Sequence, residues 1–404
     1  MEALTQHAAQ SLEQQHHVQM YGRFPVTFER GEGCVLYDTN GKEYLDALAG
    51  IAVNNIGHCH PRWVQAVQGQ ANRLVHVSNL YYTEPQARLA KRLTEVSGMD
   101  RVFFCNSGAE ANEGAIKLAR KIGHAKGRKG HIISFQQSFH GRTVATIALG
   151  QEKYYSQFRP IPDEPRQVDL NDLDAVKKLV DQDTVGIIVE PIQGEGGIHP
   201  SHGEFLKGLR QLCDEHELTL IFDEVQSGMG RTGYWYAWQY YGVQPDILTS
   251  AKGLGGGFPI GAVLAREATA QHLQPGDHGT TYGGNPLGCA ASLAVLDVIE
   301  EEGLLDAATR MGAYLREQLE ELQMRYPDDI KDVRGVGLML GAEMAYPSKP
   351  LVGRMMHHGV LTSATANTVV RMVPPLIITR HQIDHLVTVF EKAIQEEKES
   401  QQNA

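Results

Sequence analysis

This sequence has fewer basic than acidic residues, and it lacks long apolar runs. Its 404 residues carry 37 Lys and Arg against 48 Asp and Glu, a formal net charge of −11. Such an acidic balance argues against a protein that binds a nucleic-acid backbone through a basic face. No run approaches the ~20 apolar residues of a membrane-spanning helix, and the first twenty residues lack the apolar core of a signal peptide. We therefore expect no nucleic-acid partner and no membrane association.

Cysteine is also rare, with five residues scattered along the chain and no CxxC pair. This usage is typical of a reducing compartment, so we expect a cytoplasmic protein. His58, Cys59 and His60 lie close together, but two neighbouring histidines rarely bind one metal without other ligands, and no complementary cluster is evident. A structural turn is the better interpretation, and we predict no metal site.

The order of apolar runs indicates the fold class. A chain of 404 residues exceeds one ordinary core, and short apolar runs such as RVFFC, HIISF, GIIVE, LIFDE and IGAVLA alternate with helical patterns. Runs that are almost wholly apolar are typical of strands covered by helices on both faces. The alternation predicts an α/β protein with a mostly parallel central sheet and right-handed connections.

The pattern changes after about residue 286. Two long helical stretches, then the strand-like segments VRGVGLMLGAEM and VVRMVPPLII, and a final helix from His381 to about Glu397 follow. We predict a large domain at 56–285 and a smaller α+β domain at 286–404. The N-terminal segment 1–55, which has a hairpin signal at DTNG, is predicted to pack with the small domain.

Lys252 and Asp223 are the first candidates for chemistry. Each follows a predicted strand, about one βαβ step apart, and ligands of open α/β sheets bind outside the carboxyl ends of strands. A pyridoxal cofactor needs a lysine that forms an imine with its aldehyde and a carboxylate that keeps its pyridine nitrogen protonated. Taken singly, a lysine after a strand is more often a surface residue, and an acid after a strand is more often part of a turn or a helix cap.

A second candidate feature is the segment CNSGAEAN, where a strand becomes a helix. Ser107, Gly108 and Ala109 stand at this junction, and the free N–H groups and positive end of a helix form an anion site suited to a phosphate. An ordinary N-cap made by Asn106 or Ser107 is the alternative interpretation.

These residues belong to longer motifs that resemble those of the class III aminotransferases, most closely the acetylornithine branch of that family. The motifs run in order along nearly the whole chain: YGRFPVTFERGEG, GIAVNNIGHCHP, FFCNSGAEANEGAIKLAR, SFHGRT, VEPIQGEGG, LIFDEVQSGMGRTG, SAKGLGGGFPIGA, HGTTYGGNPL and VRMVPPLII. No functional position of the family pattern is missing. The resemblance implies the fold type I of pyridoxal-phosphate-dependent transferases and pyridoxal 5'-phosphate as cofactor.

The resemblance also assigns roles around the cofactor ring. Lys252 would be the Schiff-base lysine and proton shuttle, and Asp223 would bind the pyridine nitrogen. Gln226 would lie near the phenolic oxygen, while Phe139 and Val225 would contact the two ring faces.

For the phosphate, the resemblance points to Gly108 and Ala109 with Ser107 beside them. Thr281 would reach the phosphate that is bound mainly by the other subunit. A homodimer with active sites at the subunit interface is therefore expected.

Carboxylates are common to both substrates of a transaminase, and arginine side chains bind them in bidentate pairs. Arg142 and Arg371 match the family's two carboxylate-binding arginines, and Glu195 matches an acid that covers Arg371. Tyr21 and Thr280 are expected as further substrate contacts. Surface salt bridges for the arginines and a turn for the acid are the alternatives.

The implied reaction moves the terminal (δ) amino group of N-acetylornithine to 2-oxoglutarate, giving N-acetylglutamate 5-semialdehyde and glutamate in arginine biosynthesis. Succinylornithine, ornithine and 4-aminobutyrate aminotransferases share the cofactor motifs and stay open as alternatives. A decarboxylase or aminomutase of the same fold would not need two alternating substrates. From a different class, a cofactor-binding module without turnover would not need the proton shuttle.

Overall fold

The computed structural model describes residues 5–162 and 164–402. In chain order the strands are β1 (Phe28–Glu32), β2 (Val35–Asp38), β3 (Glu43–Asp46), β4 (Arg101–Cys105), β5 (His131–Phe135), β6 (Arg166–Val168), β7 (Thr184–Val189), β8 (Ile192–Gln193), β9 (His199–Pro200), β10 (Thr219–Asp223), β11 (Ile247–Ser250), β12 (Gly261–Ala265), β13 (Ile330–Val336), β14 (Met339–Met344), β15 (Val360–Leu361), β16 (Ser363–Thr365) and β17 (Val369–Met372).

The helices are α1 (Gln6–His16), α2 (Ala49–Ala52), α3 (Pro61–Ala71), α4 (Glu84–Ser97), α5 (Gly108–Ala125), α6 (Val144–Ile147), α7 (Glu152–Tyr155), α8 (Leu173–Leu179), α9 (Gly203–Glu215), α10 (Ala237–Tyr241), α11 (Glu267–Ala270), α12 (Pro286–Glu301), α13 (Leu304–Arg325), α14 (Lys349–His357) and α15 (Arg380–Gln402). Short 3-10 helices occur at Ser78–Leu80, Ser156–Phe158 and Lys252–Leu254. Within the described part of the chain, no helix is both long and apolar enough to cross a membrane.

A seven-stranded sheet in the order β4-β12-β11-β10-β7-β5-β6 forms the centre of the molecule. The pairs among β11, β10, β7, β5 and β6 are parallel, whereas β12 is antiparallel to both of its neighbours. Every residue of β7, β10, β11 and β12 is buried. The predicted α/β architecture with a mostly parallel sheet, covered on both faces, is confirmed.

Two helices cover the central strands. Helix α5 packs against β7, β10, β11 and β12, and α9 packs against β7 and β10. Small residues at helical spacing, Ala111, Ala115 and Ala119, are buried along α5 and let the helix approach the sheet closely. Because α5 begins where β4 ends, its N-terminus lies at the carboxyl edge of the sheet.

The C-terminal part of the chain contains a second sheet, β13-β14-β17-β16, which is antiparallel throughout. The predicted strands in VRGVGLMLGAEM form the hairpin β13–β14. The predicted strand in VVRMVPPLII is shorter than expected and ends at Met372, because Pro374 and Pro375 lack the N–H that a further strand pairing needs. The final helix α15 is longer than predicted and runs to Gln402.

The N-terminal hairpin β2–β3 turns at DTNG as predicted, and β15 from the C-terminal part pairs in parallel with β3. Helix α12, assigned to the predicted small domain, packs against α3 and α4. The boundaries at 1–55, 56–285 and 286–404 therefore stay predictions, and residues 1–4 and 403–404 at their ends lie outside the described residues.

One fully buried arginine connects these parts. Arg231 donates hydrogen bonds to the Leu338 carbonyl oxygen at 3.2 Å, to the Pro374 carbonyl oxygen and to the Asn55 side-chain oxygen. Burial lowers the pKa of its guanidinium to about 9. Arg231, in the loop after β10, is thus hydrogen-bonded both to the N-terminal segment and to the C-terminal part of the chain.

Candidate active site

A cavity of about 400 Å³ opens at the carboxyl edge of the central sheet. It lies where β4, β10 and β11 end, which is the position that open α/β sheets use for ligands. Nine of the predicted site residues line it: Ser107, Gly108, Ala109, Phe139, Arg142, Asp223, Val225, Gln226 and Lys252. The fold therefore brings residues from four sequence motifs to one place.

Lys252 follows β11 in a strained backbone conformation. Its φ of +45° lies in the left-handed region, which costs free energy for a residue other than glycine and is often found at functional sites. Burial lowers the pKa of the Lys252 amine, although Glu195 opposes the shift. A lysine with a lowered pKa is more often neutral and can act as a nucleophile.

Asp223 ends β10 and is held by a buried polar network. One of its carboxylate oxygens, Oδ2, accepts hydrogen bonds from Asn112 Nδ2 and His140 Nδ1, each at 2.7 Å. The other, Oδ1, accepts from the Val225 N–H at 3.1 Å, and Thr249 donates to the Asn112 side-chain oxygen at 2.8 Å. Burial alone would lower the pKa of His140, but the bond to Asp223 raises it. The network stabilises Asp223 as a carboxylate.

The N-terminus of α5 lines the same cavity. The Ser107 hydroxyl caps this helix by accepting a hydrogen bond from the Glu110 N–H at 3.2 Å, as the capping interpretation predicted. Gly108 lies so close to Val225 that an added Cβ would be 2.7 Å from Val225 Cγ1. An 18-residue helix presents its partial positive charge here, which suits a phosphate group.

Together these residues fit pyridoxal phosphate on chemical grounds. They supply a primary amine, a stabilised carboxylate, an anion-binding helix end and the apolar side chains of Phe139 and Val225. No other described residue accepts a hydrogen bond from the Lys252 amine, so its nitrogen is available for an aldehyde.

Three cavity residues, Asn112, His140 and Glu190, were not predicted from the sequence. Glu190 accepts hydrogen bonds from the Phe139 N–H at 3.0 Å and the Gly194 N–H at 3.2 Å, and burial raises its pKa to about 7. Helical periodicity could have indicated Asn112, which stands one turn after Gly108. His140 directly follows Phe139, and Glu190 directly follows β7.

An ion pair between Arg371 and Glu195 lies beside Gln226. Arg371, in β17, is 2% exposed and its Nη1 lies 2.5 Å from Glu195 Oε1. It also donates to Ser363 Oγ at 3.0 Å and to Gln226 Oε1 at 3.2 Å. Burial would raise the pKa of Glu195, but the charge of Arg371 and their hydrogen bond lower it. The predicted pairing of Glu195 with Arg371 is present in this structure.

Arg142 has a different environment. It is exposed at the cavity wall, and its guanidinium carbon lies 3.8 Å from the ring centre of Tyr154 and 5.5 Å from that of Phe139. Among the described residues, no carboxylate lies within ion-pair distance of it. Arg142 is thus a cation without a carboxylate partner among the described residues, in the same cavity as a buried lysine.

The remaining predicted residues do not line the cavity. Tyr21 is exposed and contacts Arg23. Thr280 accepts a hydrogen bond from Asn106 Nδ2 at 3.1 Å, and Thr281 is exposed beside it. Thr281 was expected to act in another subunit, so its role stays a prediction, as does that of Tyr21.

The two histidines near Cys59 have structural contacts. His58 lies 2.7 Å from Asp46 Oδ2, and His60 caps α3 by accepting from the Arg62 N–H. In the described ranges, no group of three or more His, Cys, Asp or Glu side chains could hold a metal ion.

The sheet order and the cavity at its carboxyl edge define a fold type I transferase. Comparison with known proteins agrees: the family described as aminotransferase class-III matches residues 17–394, and the chain belongs to this family. It is 51% identical to an acetylornithine aminotransferase of Methanocaldococcus jannaschii over 390 residues, covering 96% of this chain and 98% of that protein.

Solved structures of aminotransferases are also similar to this chain. An ornithine aminotransferase from Toxoplasma gondii, whose structure reveals partial occupancy of PLP at the active site, has a TM-score of 0.93 at 34% identity and covers 98% of this chain and 96% of that one. An acetylornithine aminotransferase from Elizabethkingia anophelis has a TM-score of 0.86 at 34% identity, with coverage of 98% and 100%. The chain is therefore an aminotransferase.

Proposed function

We propose that this aminotransferase binds pyridoxal 5'-phosphate in the cavity and moves the δ-amino group of N-acetylornithine to 2-oxoglutarate. The products would be N-acetylglutamate 5-semialdehyde and glutamate, as in arginine biosynthesis. The observation that supports a donor reacting through its distal amine is the pair Glu195–Arg371 at 2.5 Å, together with an Arg142 that has no carboxylate partner among the described residues. The choice of N-acetylornithine among such donors is supported by the relatives. The relative from M. jannaschii bears the corresponding name.

The cofactor, when bound, withdraws electrons from the carbon that carries the reacting amine. Asp223 would keep the pyridine nitrogen protonated, because His140 and Asn112 stabilise its negative charge. Ser107, Gly108 and Ala109 would hold the phosphate at the N-terminus of α5. Phe139, Val225 and Gln226 would contact the ring and its oxygen.

Lys252 would have two tasks. Its amine would anchor the cofactor aldehyde and be released when the substrate amine arrives. Nζ would then take the proton from the carbon next to that amine and return it during the second half of the reaction. The lowered pKa of the free lysine suits this base function.

The arginines would distinguish the two substrates. While Glu195 neutralises Arg371, only Arg142 is open to the α-carboxylate of N-acetylornithine, which leaves the distal amine for the cofactor. Glutamate and 2-oxoglutarate carry two carboxylates, so they would need Arg371 as well, and Glu195 would have to leave it. Tyr21 and Thr280 are proposed as further substrate contacts.

We also propose a homodimer with its active sites at the subunit interface. The side chains of Leu80, Tyr81, Tyr82 and Tyr282 are largely exposed, and exposed apolar patches of this kind favour a protein partner. Asn79 donates to the Thr280 carbonyl oxygen at 3.2 Å, which joins this surface to Thr281. A second copy docked here would bring Thr281 to the phosphate of its partner.

A donor screen tests the proposal. Glutamate formation from 2-oxoglutarate would be measured with N-acetylornithine, N-succinylornithine, ornithine and 4-aminobutyrate. We expect the highest kcat/KM with N-acetylornithine. A preference for unmodified ornithine or 4-aminobutyrate would reject the assignment within the family, and failure of all donors would favour a binding module without turnover.

A further inference from the structure

Tyr154 contacts two residues that line the cavity, Phe139 and Arg142, and no sequence motif indicated it. It belongs to the short helix α7 and is partly buried. The guanidinium carbon of Arg142 lies 3.8 Å from the centre of its ring, and the Lys153 amine lies 4.9 Å from the same centre. The ring therefore contacts the cation that the proposed function assigns to the substrate carboxylate.

The guanidinium of Arg142 lies over the face of the Tyr154 ring, with its carbon 3.8 Å from the ring centre, which is a cation–π contact. This contact uses the positive charge of the guanidinium and does not need the N–H groups that hydrogen-bond to a carboxylate. Tyr154 can thus hold Arg142 without competing for the N–H groups that a carboxylate would need. An internal acid, such as the one that pairs with Arg371, would compete for them.

The Tyr154 ring is itself fixed to the cavity wall. It packs edge-on against Phe139, with ring centres 5.7 Å apart and planes at 87°. The Phe139 N–H is in turn bound by the buried Glu190 carboxylate at 3.0 Å. A long, exposed arginine loses much side-chain entropy when it binds a ligand, and an anchored ring reduces that loss by ordering Arg142 beforehand.

We propose that Tyr154 is a positioning residue for the substrate carboxylate: it holds Arg142 in place through its ring, so that Arg142 binds the α-carboxylate of the amino donor. The inference rests on the proposed role of Arg142. It predicts that the aromatic ring of Tyr154, more than its hydroxyl, sets the preference of the enzyme for donors that carry a carboxylate.

The test compares two donors that differ only in the carboxylate, N-acetylornithine and N-acetylputrescine. For each enzyme the ratio of the two kcat/KM values measures what the carboxylate contributes. Four single variants and one double variant would be compared with the wild type. The single variants are Tyr154→Leu, Tyr154→Phe, Arg142→Ala and, as a control near Tyr154, Phe158→Leu; the double variant is Arg142→Ala/Tyr154→Leu. Phe158 is 67% exposed and does not line the cavity.

We expect Tyr154→Leu to lower the ratio about three- to thirtyfold, which corresponds to the loss of a cation–π contact. Tyr154→Phe should retain most of the ratio, since it keeps the ring. Arg142→Ala should lower the ratio more than Tyr154→Leu does, and in the Arg142→Ala background a second change, Tyr154→Leu, should have no further effect on the ratio.

The outcomes separate the two hypotheses. If Arg142→Ala lowers the ratio and Tyr154→Leu lowers both kcat/KM values equally, Tyr154 only supports the fold and the inference is wrong. If Arg142→Ala leaves the ratio unchanged, the proposed carboxylate site is wrong and the inference falls with it. An equal loss of the ratio in Tyr154→Phe and Tyr154→Leu would transfer the role from the ring to the hydroxyl and would also overturn the inference.

Discussion

We call Ser107, Asp223 and Lys252 the floor of the cavity and Arg142 its wall. The charged groups of the floor and of the wall have different surroundings. On the floor, the Asp223 carboxylate is buried and accepts hydrogen bonds from Asn112, His140 and Val225. On the wall, Arg142 is exposed, stacks on Tyr154 and has no described carboxylate partner. The charge of Asp223 is thus matched by hydrogen bonds within the protein, whereas the charge of Arg142 has no such match among the described residues.

Arg371 combines the burial of Asp223 with the positive charge of Arg142. It is as buried as the floor residues, yet its partner Glu195 lies in the loop after β8 and is partly exposed. A buried cation with a removable anion can be closed for one substrate and opened for another. We propose that the floor determines the reaction type and that the wall determines the substrate, and four experiments test this proposal.

Replacing Lys252 on the floor of the cavity should have the largest effect on activity. We expect Lys252→Ala to lower both half-reactions by at least about 10²- to 10⁴-fold, because the proton transfer loses its base. The visible absorption that depends on the bond between Lys252 and the cofactor should disappear as well. Single-turnover spectroscopy of both half-reactions measures this, with the exposed Lys178→Ala on α8 as control. Retained absorbance in purified Lys252→Ala would contradict the central assignment.

The next largest effect is expected on stability. Arg371→Ala leaves Glu195 without its partner in a partly buried place, and breaking a buried ion pair on one side is strongly destabilising. Because Glu195 is partly exposed, we expect a loss at the lower end of the range for buried pairs, about 3 kcal/mol in the free energy of unfolding, measured with urea.

The double variant Arg371→Ala/Glu195→Ala should recover part of that loss, since it removes the unpaired charge. The exposed pair Arg101–Glu267 offers a matched control, because Arg101→Ala should change little. If Arg371→Ala and Arg101→Ala lower the free energy of unfolding equally, the buried pair of Arg371 contributes no more to stability than an exposed pair does.

Glu195 should affect one half-reaction selectively. In Glu195→Ala, Arg371 is open and can bind the α-carboxylate of N-acetylornithine, which would misplace the reacting amine. We expect the donor half-reaction to slow about tenfold, equivalent to ~1.4 kcal/mol, while the glutamate half-reaction is nearly unchanged. Single turnovers with each substrate measure the two rates, and equal losses would argue against a removable cover.

The smallest expected effect concerns acid stability. The folded protein lowers the pKa of Glu195 below its ordinary value of 4.5, mainly through Arg371 against the opposing effect of burial. A lowered pKa stabilises the folded state above the ordinary value, and the contribution is lost as pH falls through the lowered pKa. The stability difference between wild type and Glu195→Gln should therefore be constant from pH 7 to about 5 and shrink below pH 4.5. A difference that grows on acidification would reverse the sign of the linkage.

Much of the floor could be predicted from the sequence, because its residues follow strands. Asp223 ends β10, Lys252 follows β11, and Ser107 stands between β4 and α5. Strand ends in a parallel sheet share one edge, so a linear pattern was enough to bring these side chains together. The direction of β12 could not be predicted in this way, since an apolar run reads the same in either orientation.

The contacts that hold Asp223 and Arg142 in place could not be predicted from the sequence. Asn112 and His140 meet Asp223 across separations of 111 and 83 residues, and nothing in the spacing indicates that they share its oxygen. Tyr154 likewise contacts Arg142 only because α7 folds back over the loop that contains Phe139. Such contacts depend on packing between elements, which composition and periodicity do not specify.

Arg231 has a consequence for how the molecule can be divided. Its guanidinium has acceptors from Asn55, Leu338 and Pro374 at once, and a fragment that contains Arg231 without residues 286–404 would lose two of these acceptors. The same cut would expose the apolar side chains that pack against the C-terminal part in the core. Excision of the C-terminal part should therefore yield an insoluble remainder instead of a smaller working enzyme. Protein engineers who exchange substrate-binding parts between relatives would need to transfer this arginine and its three acceptors as one unit.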